Sequence, residues 1–458
     1  MSLRLQSLTL AIASISFASA AQAAGLDRST QPSWGFTQDG TFAYIERITI
    51  DPSISGKDNA ATTPSPTTYE EGRDTNNMAL NYDFINYGAK ADINDKVSVG
   101  VFFDQPWGAD VEFTGNNDFV NDTEQAALAA KAAEAAAAKA ADAAKADPAN
   151  QILAYTAVKT EREAGAAYNI ASNIAQHPNE GTNVSVDSKN FTGLVGVKFG
   201  EKNNWQVYGG PVLQKLEGEV HLRGTAYNST QGYDGIFAQS NGYGWMAGLA
   251  YSKPEIALKA ALTYRSDIDH DTVAYEYMPA TGDSGTNDMT ITTPKSVNVD
   301  FQTGLNPTTL LTAKLRWVPW SDFSIKPPMY NATTKKAVGA DFKPLYPNGL
   351  NLIDYSDDGW AAEVGLGKKL SNQWAVSGSV GWDSGAGDPT TTLGPVEGHW
   401  NVGLGAKYNV TPEVAVSAGV KYLMFGDAKS KIPNGDLVGD FQNNDAWIYG
   451  LRLTYQKK

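Results

Sequence analysis

Five basic residues carry charges that need an explanation. Lys259 and Arg265 alternate with Leu258, Ala260, Leu262 and Tyr264; Lys314 and Arg316 alternate with Leu311, Ala313, Leu315 and Trp317; Arg452 lies between Leu451 and Leu453. In an extended chain this spacing puts cations on one face and apolar side chains on the other. A cation withdrawn from water needs a partner. Each therefore pairs with an inward acid such as Asp300 or Glu363, or meets the anionic head of a ligand. Catalytic chemistry is absent from the pattern. The four histidines, His177, His221, His270 and His399, show no H-x-x-x-H spacing, there is no Cys, and no G-x-S-x-G turn occurs. No metal site, cofactor site or nucleophile–base set is expected, so the chain does not read as an enzyme.

The elements that position these cations are strands. Trp447, Tyr449, Leu451, Leu453 and Tyr455 share one face of the last run, against Ile448, Gly450, Arg452 and Thr454 on the other. Period-two alternation with a wholly apolar, aromatic-ended face is a strand with one side in lipid. Such runs are expected at 41–56, 77–92, 97–114, 189–200, 205–223, 242–252, 256–275, 290–304, 309–320, 358–370, 374–385, 398–410, 414–425 and 444–456. Short polar turns at 93–96, 201–204, 252–255, 306–308, 371–373 and 411–413 alternate with long Gly-, Asp- and Pro-rich segments. Fourteen strands with short turns at one rim and long loops at the other make an all-β, antiparallel transmembrane barrel in the bacterial outer membrane.

Composition agrees. There are 44 Gly, 21 Tyr and 11 Trp, residues that barrels use in their walls and interfacial girdles. The net charge of −14 argues against nucleic acid as a partner. A mean hydropathy of −0.34 excludes a helical membrane protein but not a barrel, whose strands are half apolar. Residues 1–23, with Arg4, an apolar run from Leu8 to Ala20 and Ala21-Gln22-Ala23, read as a cleaved signal peptide. One segment breaks the strand pattern. Residues 123–176 are rich in Ala, Glu, Lys and Gln, strong helix formers, interrupted at Asp147-Pro148. A helical hairpin in an extracellular loop is expected there, with Asp122-Thr123 at its first cap.

Three stretches resemble the FadL/TodX family of outer-membrane transporters for hydrophobic compounds: Tyr44 to Gly56, Thr293-Pro294-Lys295-Ser296-Val297 through Trp317-Val318-Pro319-Trp320-Ser321-Asp322-Phe323, and Val364 to Val376. The resemblance implies a fourteen-stranded barrel plugged by an N-terminal hatch, here 24–40, with Gly25, Leu26, Asp27 and Arg28 in it. It implies capture of long-chain fatty acids or aromatic hydrocarbons on extracellular loops, binding in the lumen, and lateral release where the third strand kinks. In this chain the kink falls at Pro106, Trp107 and Gly108. It also points to Arg223 as a pocket cation beside Lys259, Arg265, Lys314 and Arg316. The hatch lacks the family's Asn-Pro-Ala motif, and the chain ends Tyr455-Gln456-Lys457-Lys458 rather than on an aromatic.

Moving an apolar molecule calls for apolar shielding worth roughly 25 cal/mol per Å². Phe237, Tyr330, Phe342 and Tyr346, with Ile236, Leu345, Leu350, Leu352 and Ile353, are placed to form an outer loop groove. The expected partners are a hydrophobic ligand, most readily a fatty acid, and outer-membrane lipid, for a monomer. A general diffusion porin for polar solutes and an adhesive surface protein are the alternatives; rapid sugar entry into liposomes would favour the porin.

Overall fold

The computed structural model describes residues 26–28, 33–339 and 343–457. The expected signal peptide, Gly25 and Phe342 lie outside the described residues. Fourteen antiparallel strands form one closed wall. They are β1 (Thr41–Ser53), β2 (Tyr82–Asp92), β3 (Val97–Asp104 and Gly108–Glu112), β4 (Asn183–Phe199), β5 (Trp205–His221), β6 (Asp234–Lys253), β7 (Leu258–Arg265 and Ile268–Met278), β8 (Asp283–Thr293 and Ser296–Asn306), β9 (Thr309–Val318), β10 (Gly359–Lys369), β11 (Trp374–Asp383), β12 (Glu397–Asn409), β13 (Val414–Gly426) and β14 (Asp445–Lys457). Closure comes from β1 pairing with β14, Thr41 opposite Lys457 through Ser53 opposite Asp445. Closure leaves no free edge strand, and outside the break in β3 the wall backbone groups pair strand to strand, as lipid demands.

Alternation sorts the two faces as the sequence implies. Trp447, Tyr449, Leu451, Leu453 and Tyr455 are exposed on the outer face, while Ile448, Arg452 and Thr454 are buried inside. The short turns expected from the sequence all connect neighbouring strands at one end. At the other end the loops thicken into a cap. It includes a small sheet built from 57–59, 71–74, 390–391, 428–431 and 437–441.

The helical insertion is a hairpin of α2 (Thr123–Ala146) and α3 (Gln151–Gln176), which follow a one-turn helix α1 (Ser33–Phe36) in the hatch. Asp122 accepts from the backbone N–H groups of Glu124 and Gln125, and Asn150 from those of Ile152 and Leu153. Each cap satisfies donors that the first helical turn leaves open. Only the base of the hairpin is buried, at Ala126, Asn173 and Ile174.

Several strands run further than expected. β4 begins at Asn183, β6 at Asp234, and β8 at Asp283, so β7 and β8 meet in a tight turn rather than a long loop. Polar residues hid these extensions, because that part of the wall stands beyond the apolar band and alternation no longer marks it. Two strands expected to be continuous are creased. β7 breaks at Ser266-Asp267 and β8 at Pro294-Lys295, directly opposite each other, since Ile268 pairs with Thr293 above and Arg265 with Ser296 below. Pro294 cannot donate to a ladder, which fixes where the wall bends.

Candidate functional site

The third strand is interrupted where Pro106 lies. β4 follows both of its arms, with Asp104 opposite Asn190 and Gly108 opposite Asp187. Gln105, Pro106 and Trp107 therefore face only Ser188 and Lys189, and the extra residue bulges out of the ladder. Ser188 secures the bulge: its hydroxyl accepts from the Trp107 backbone N–H at 2.8 Å and donates to the Trp107 carbonyl at 2.6 Å. Towards β2 the consequence is larger. That ladder climbs from Asp92–Ser98 to Tyr87–Phe103 and stops. Contact resumes only where Leu80 N–H reaches the Asp110 carbonyl (3.2 Å) and Glu112 N–H the Met78 carbonyl (2.8 Å). Between these points the wall is a window without β2–β3 hydrogen bonds, beside Tyr82, Phe84 and Asn86.

The bulge's backbone is used from inside. Arg28 N–H donates to the Pro106 carbonyl at 2.7 Å and Gly108 N–H to the Leu26 carbonyl at 2.9 Å, so the hatch adds a short strand to the kink. Side chains complete the seal. Arg28 pairs with Asp110, lies 3.8 Å from Asp187, and stacks 4.4 Å over the Tyr82 ring. It thereby bridges β2, β3 and β4 across the window. A Cβ at Gly108 would collide with the Arg28 guanidinium, which is why this close approach needs glycine. Asp27 receives Arg316 in a forked contact of 2.6 and 3.2 Å. Below, Trp34 stacks on Arg452 at 4.5 Å, and Phe36 packs against Phe102 and Tyr208.

Above the hatch lies a narrow apolar cleft. Its floor is Leu26 and Trp107, its wall Val184, Val186, Leu216 and Phe237, and its lid Trp320, Phe323, Ile325, Leu352 and Ile353. The cavity volume is about 30 Å³, so the lid residues lie close against the floor and wall. The crease at Pro294 forms part of its border. The hydroxyls that border it are spent on the wall. Thr293 donates to Gln214 Oε1 at 2.6 Å and Thr272 to the Ala238 carbonyl at 2.5 Å, while Ser240 lies 3.3 Å from His270 Nδ1. Below the hatch a wide polar vestibule of about 850 Å³ contains Lys259, Lys314, Asp92 and Asp300 on its walls.

The expected lumen cations are not gathered around one ligand. Arg223 is buried at the foot of the helical hairpin, held by Glu180 at 3.0 Å and Asp234 at 2.7 Å. Lys259 reaches down to the Thr37 carbonyl (2.9 Å) and Asp39 (3.3 Å) of the hatch. Arg265 faces Asp104 at 3.6 Å beneath the cleft. Lys314 sits across the ladder from Asp300 and Glu363, and Arg316 holds Asp27. None of the five borders the apolar cleft. Parity turned Lys259, Arg265, Lys314 and Arg316 inwards, while Arg223, expected from the resemblance, lies beyond the end of β5; their separation follows from their heights, which parity does not encode.

The expected loop groove is also redistributed. Phe237 is on β6, not in a loop, and its ring faces the cleft, while Ile236 is exposed on the outer wall. Tyr330, on α4 (Pro328–Thr334), is buried against Tyr233 at 5.1 Å. Glu276 accepts from the Met329 and Tyr330 backbone N–H groups and anchors that helix. Tyr346 is half-buried and Leu345 exposed, away from the cleft. Leu352 and Ile353 line the lumen cleft instead of an outer groove. The sequence reading missed Trp320 as a cleft residue and Trp34 and Phe36 as the plug's anchors. An aromatic just beyond a strand end was the available signal for Trp320.

The profile of the family described as "Outer membrane protein transport protein (OMPP1/FadL/TodX)" matches residues 37–456. None of the curated proteins matches the sequence. Among solved structures, the chain resembles a Pseudomonas aeruginosa FadL homologue at 14% identity and a TM-score of 0.61, covering 93% of this chain and 92% of that one. It also resembles the Pseudomonas putida toluene transporter TodX, at 9% identity, a TM-score of 0.52, and coverage of 98% and 97%. The Ralstonia pickettii toluene transporter TbuX gives 10% identity, a TM-score of 0.50, and 98% coverage of each chain. These likenesses establish the fold. The profile covers nearly the whole barrel, and the chain belongs to the OMPP1/FadL/TodX family of outer-membrane transport proteins, a family of channels and not of enzymes.

Proposed function

We propose that the chain takes up small hydrophobic molecules, which enter the apolar cleft through the loop cap and leave sideways into the outer membrane through the β2–β3 window. The carrying observation is that one element borders both. Trp107 forms the floor of the cleft and belongs to the bulge that opens the wall. A molecule leaving the cleft past Trp107 meets the seal that Arg28 makes with Asp110 and Tyr82. Displacing Leu26–Arg28 from the kink breaks two backbone hydrogen bonds, a modest net cost of about 1 kcal/mol each. The hatch therefore acts as a latch rather than a permanent wall. A general porin fits less well, because the hatch and the buried cluster of Phe36, Phe42, Tyr44 and Phe102 fill the bore.

The names of TodX and TbuX as toluene transporters support an aromatic hydrocarbon as one candidate class. A long-chain fatty acid, the expectation from the sequence, is another; its chain suits the cleft, and its carboxylate would have to draw a cation out of an ion pair. The signal peptide, its cleavage at Ala23 and a monomeric state belong to the same reading. The decisive experiment deletes Gln105, which removes the extra residue and restores an even ladder to β4. Uptake of labelled toluene and oleate by cells carrying this variant should fall at least tenfold, with the barrel still heat-modifiable on gels. Undiminished uptake would mean that ligand does not leave through the wall.

A further inference from the structure

We infer that the preferred ligand is an uncharged hydrophobe bearing one hydrogen-bond acceptor, such as a ketone, ester or ether, read by the indole N–H groups of Trp107 and Trp320. This rests on the uptake reading above and specifies the ligand of the same cleft. Both indoles border the cleft. They are 2% and 0% exposed, and their rings meet edge to face at 5.4 Å. Among the described residues neither Nε1 has a hydrogen-bond partner. A buried donor without an acceptor is costly, and native interiors rarely tolerate one. Two in adjacent rings on one cleft form a place where an incoming oxygen gains what folding left unmet. An indole N–H can lean on a neighbouring ring face, but that contact is second-order beside an oxygen acceptor.

The surroundings set the charge of the ligand. The cleft's hydroxyl donors are committed to the wall or loops, as described for Thr272 and Thr293. No Lys or Arg borders it, and Glu217 and Glu219 are exposed on the opposite face of β5 from Leu216 and Val220. A carboxylate lodged there would be desolvated with no cation among the lining residues, which is strongly unfavourable. A pure hydrocarbon is accepted but leaves both donors unmet. A neutral acceptor satisfies one or both without bringing a charge.

Three probes of matched length test this with the purified full-length protein in nanodiscs: octylbenzene, octanophenone and 8-phenyloctanoate. Equilibrium binding of octanophenone should be about tenfold tighter than that of octylbenzene, the return on one well-placed hydrogen bond, and 8-phenyloctanoate should bind most weakly. Trp107→Phe and Trp320→Phe retain the aromatic ring and remove the N–H. At least one of them should bring the ketone-to-hydrocarbon ratio close to one; a general loosening of the cleft would weaken both probes alike and leave that ratio unchanged. Equal binding of ketone and hydrocarbon by the unmodified protein, tightest binding of the carboxylate, or a ratio that survives both substitutions would overturn the inference. Octylbenzene binding without the ketone preference would leave the uptake reading standing. Failure of all three probes to bind would bring down that reading as well.

Discussion

The two sides of the lumen are held together by different forces. Along β4 to β8 the interior above the hatch is apolar, with Val184, Val186, Leu216 and Phe237 facing Trp320 and Leu352. Along β8 to β13 it is ionic. Arg316 grips Asp27, Lys421 holds Glu363, and His399, Asn401 and Asp383 lie in the same compartment. Apolar contact is non-directional and roughly proportional to area. The facing side chains of the apolar side meet through contacts that have no directional bond to break. A buried ion pair is directional and costly to separate. That side fixes the hatch at one height and one orientation. The contrast shows that the hatch is held from two directions: Leu26 and Arg28 are bound to the kink of β3 beside the apolar cleft, and Asp27 is gripped by Arg316 on the ionic side.

The sharpest way to break this comparison is to remove the anchor. Asp27→Ala leaves the Arg316 guanidinium, itself only 10% exposed, without its carboxylate. Losing one partner of a buried pair costs about 3–5 kcal/mol. The hatch should loosen, and small sugars should enter proteoliposomes more than tenfold faster in a swelling assay. An unchanged swelling rate would show that the ionic side does not hold the plug. The second effect is smaller and falls on the opposite wall. Leu216→Gln places a polar amide on the apolar wall of the cleft, at about 2 kcal/mol. Uptake of labelled toluene should drop about tenfold while sugar entry stays at its original rate; a parallel rise in sugar entry would mean that the two sides are not independent. The smallest effect should come from Lys314→Gln. This residue borders the wide vestibule and is not part of the hatch's grip, so both assays should shift less than twofold. A tenfold loss of oleate uptake alone would instead mark Lys314 as a head-group contact.

Much of the architecture was legible in the residues themselves. Period-two alternation located all fourteen strands, because a wall between lipid and lumen forces each side chain to one face or the other. The six short turns were legible as polar breaks between such runs, and the hairpin helices as an alanine-rich stretch split at Asp147-Pro148. The kink was legible too, since Pro106 cannot join a ladder. The functional site was legible only in parts. Phe237 was assigned to a loop because the polar, glycine-containing stretch around it resembles one; pairing with β5 from Ser240–Leu216 to Asp234–His221 makes it strand. Pro294 carried the same signal as Pro106, yet its crease needs β7 to bend opposite it, a fact about two strands rather than one.

What the sequence determined by itself was therefore the face each residue takes and the number of times the chain crosses. What only the tertiary structure decided was who meets whom. Asp27 and Arg316 are 289 positions apart, and nothing local to either predicts that they touch. The physical reason is that periodicity encodes direction, inward or outward, whereas height in the barrel and the neighbour across the bore are set by strand register and by closure of β1 on β14. The strand cations turned inwards as their spacing required, and the closed ring then set Lys259 against Asp39, Arg265 against Asp104, Arg316 against Asp27 and Arg452 against Glu46, leaving the cleft to two tryptophans.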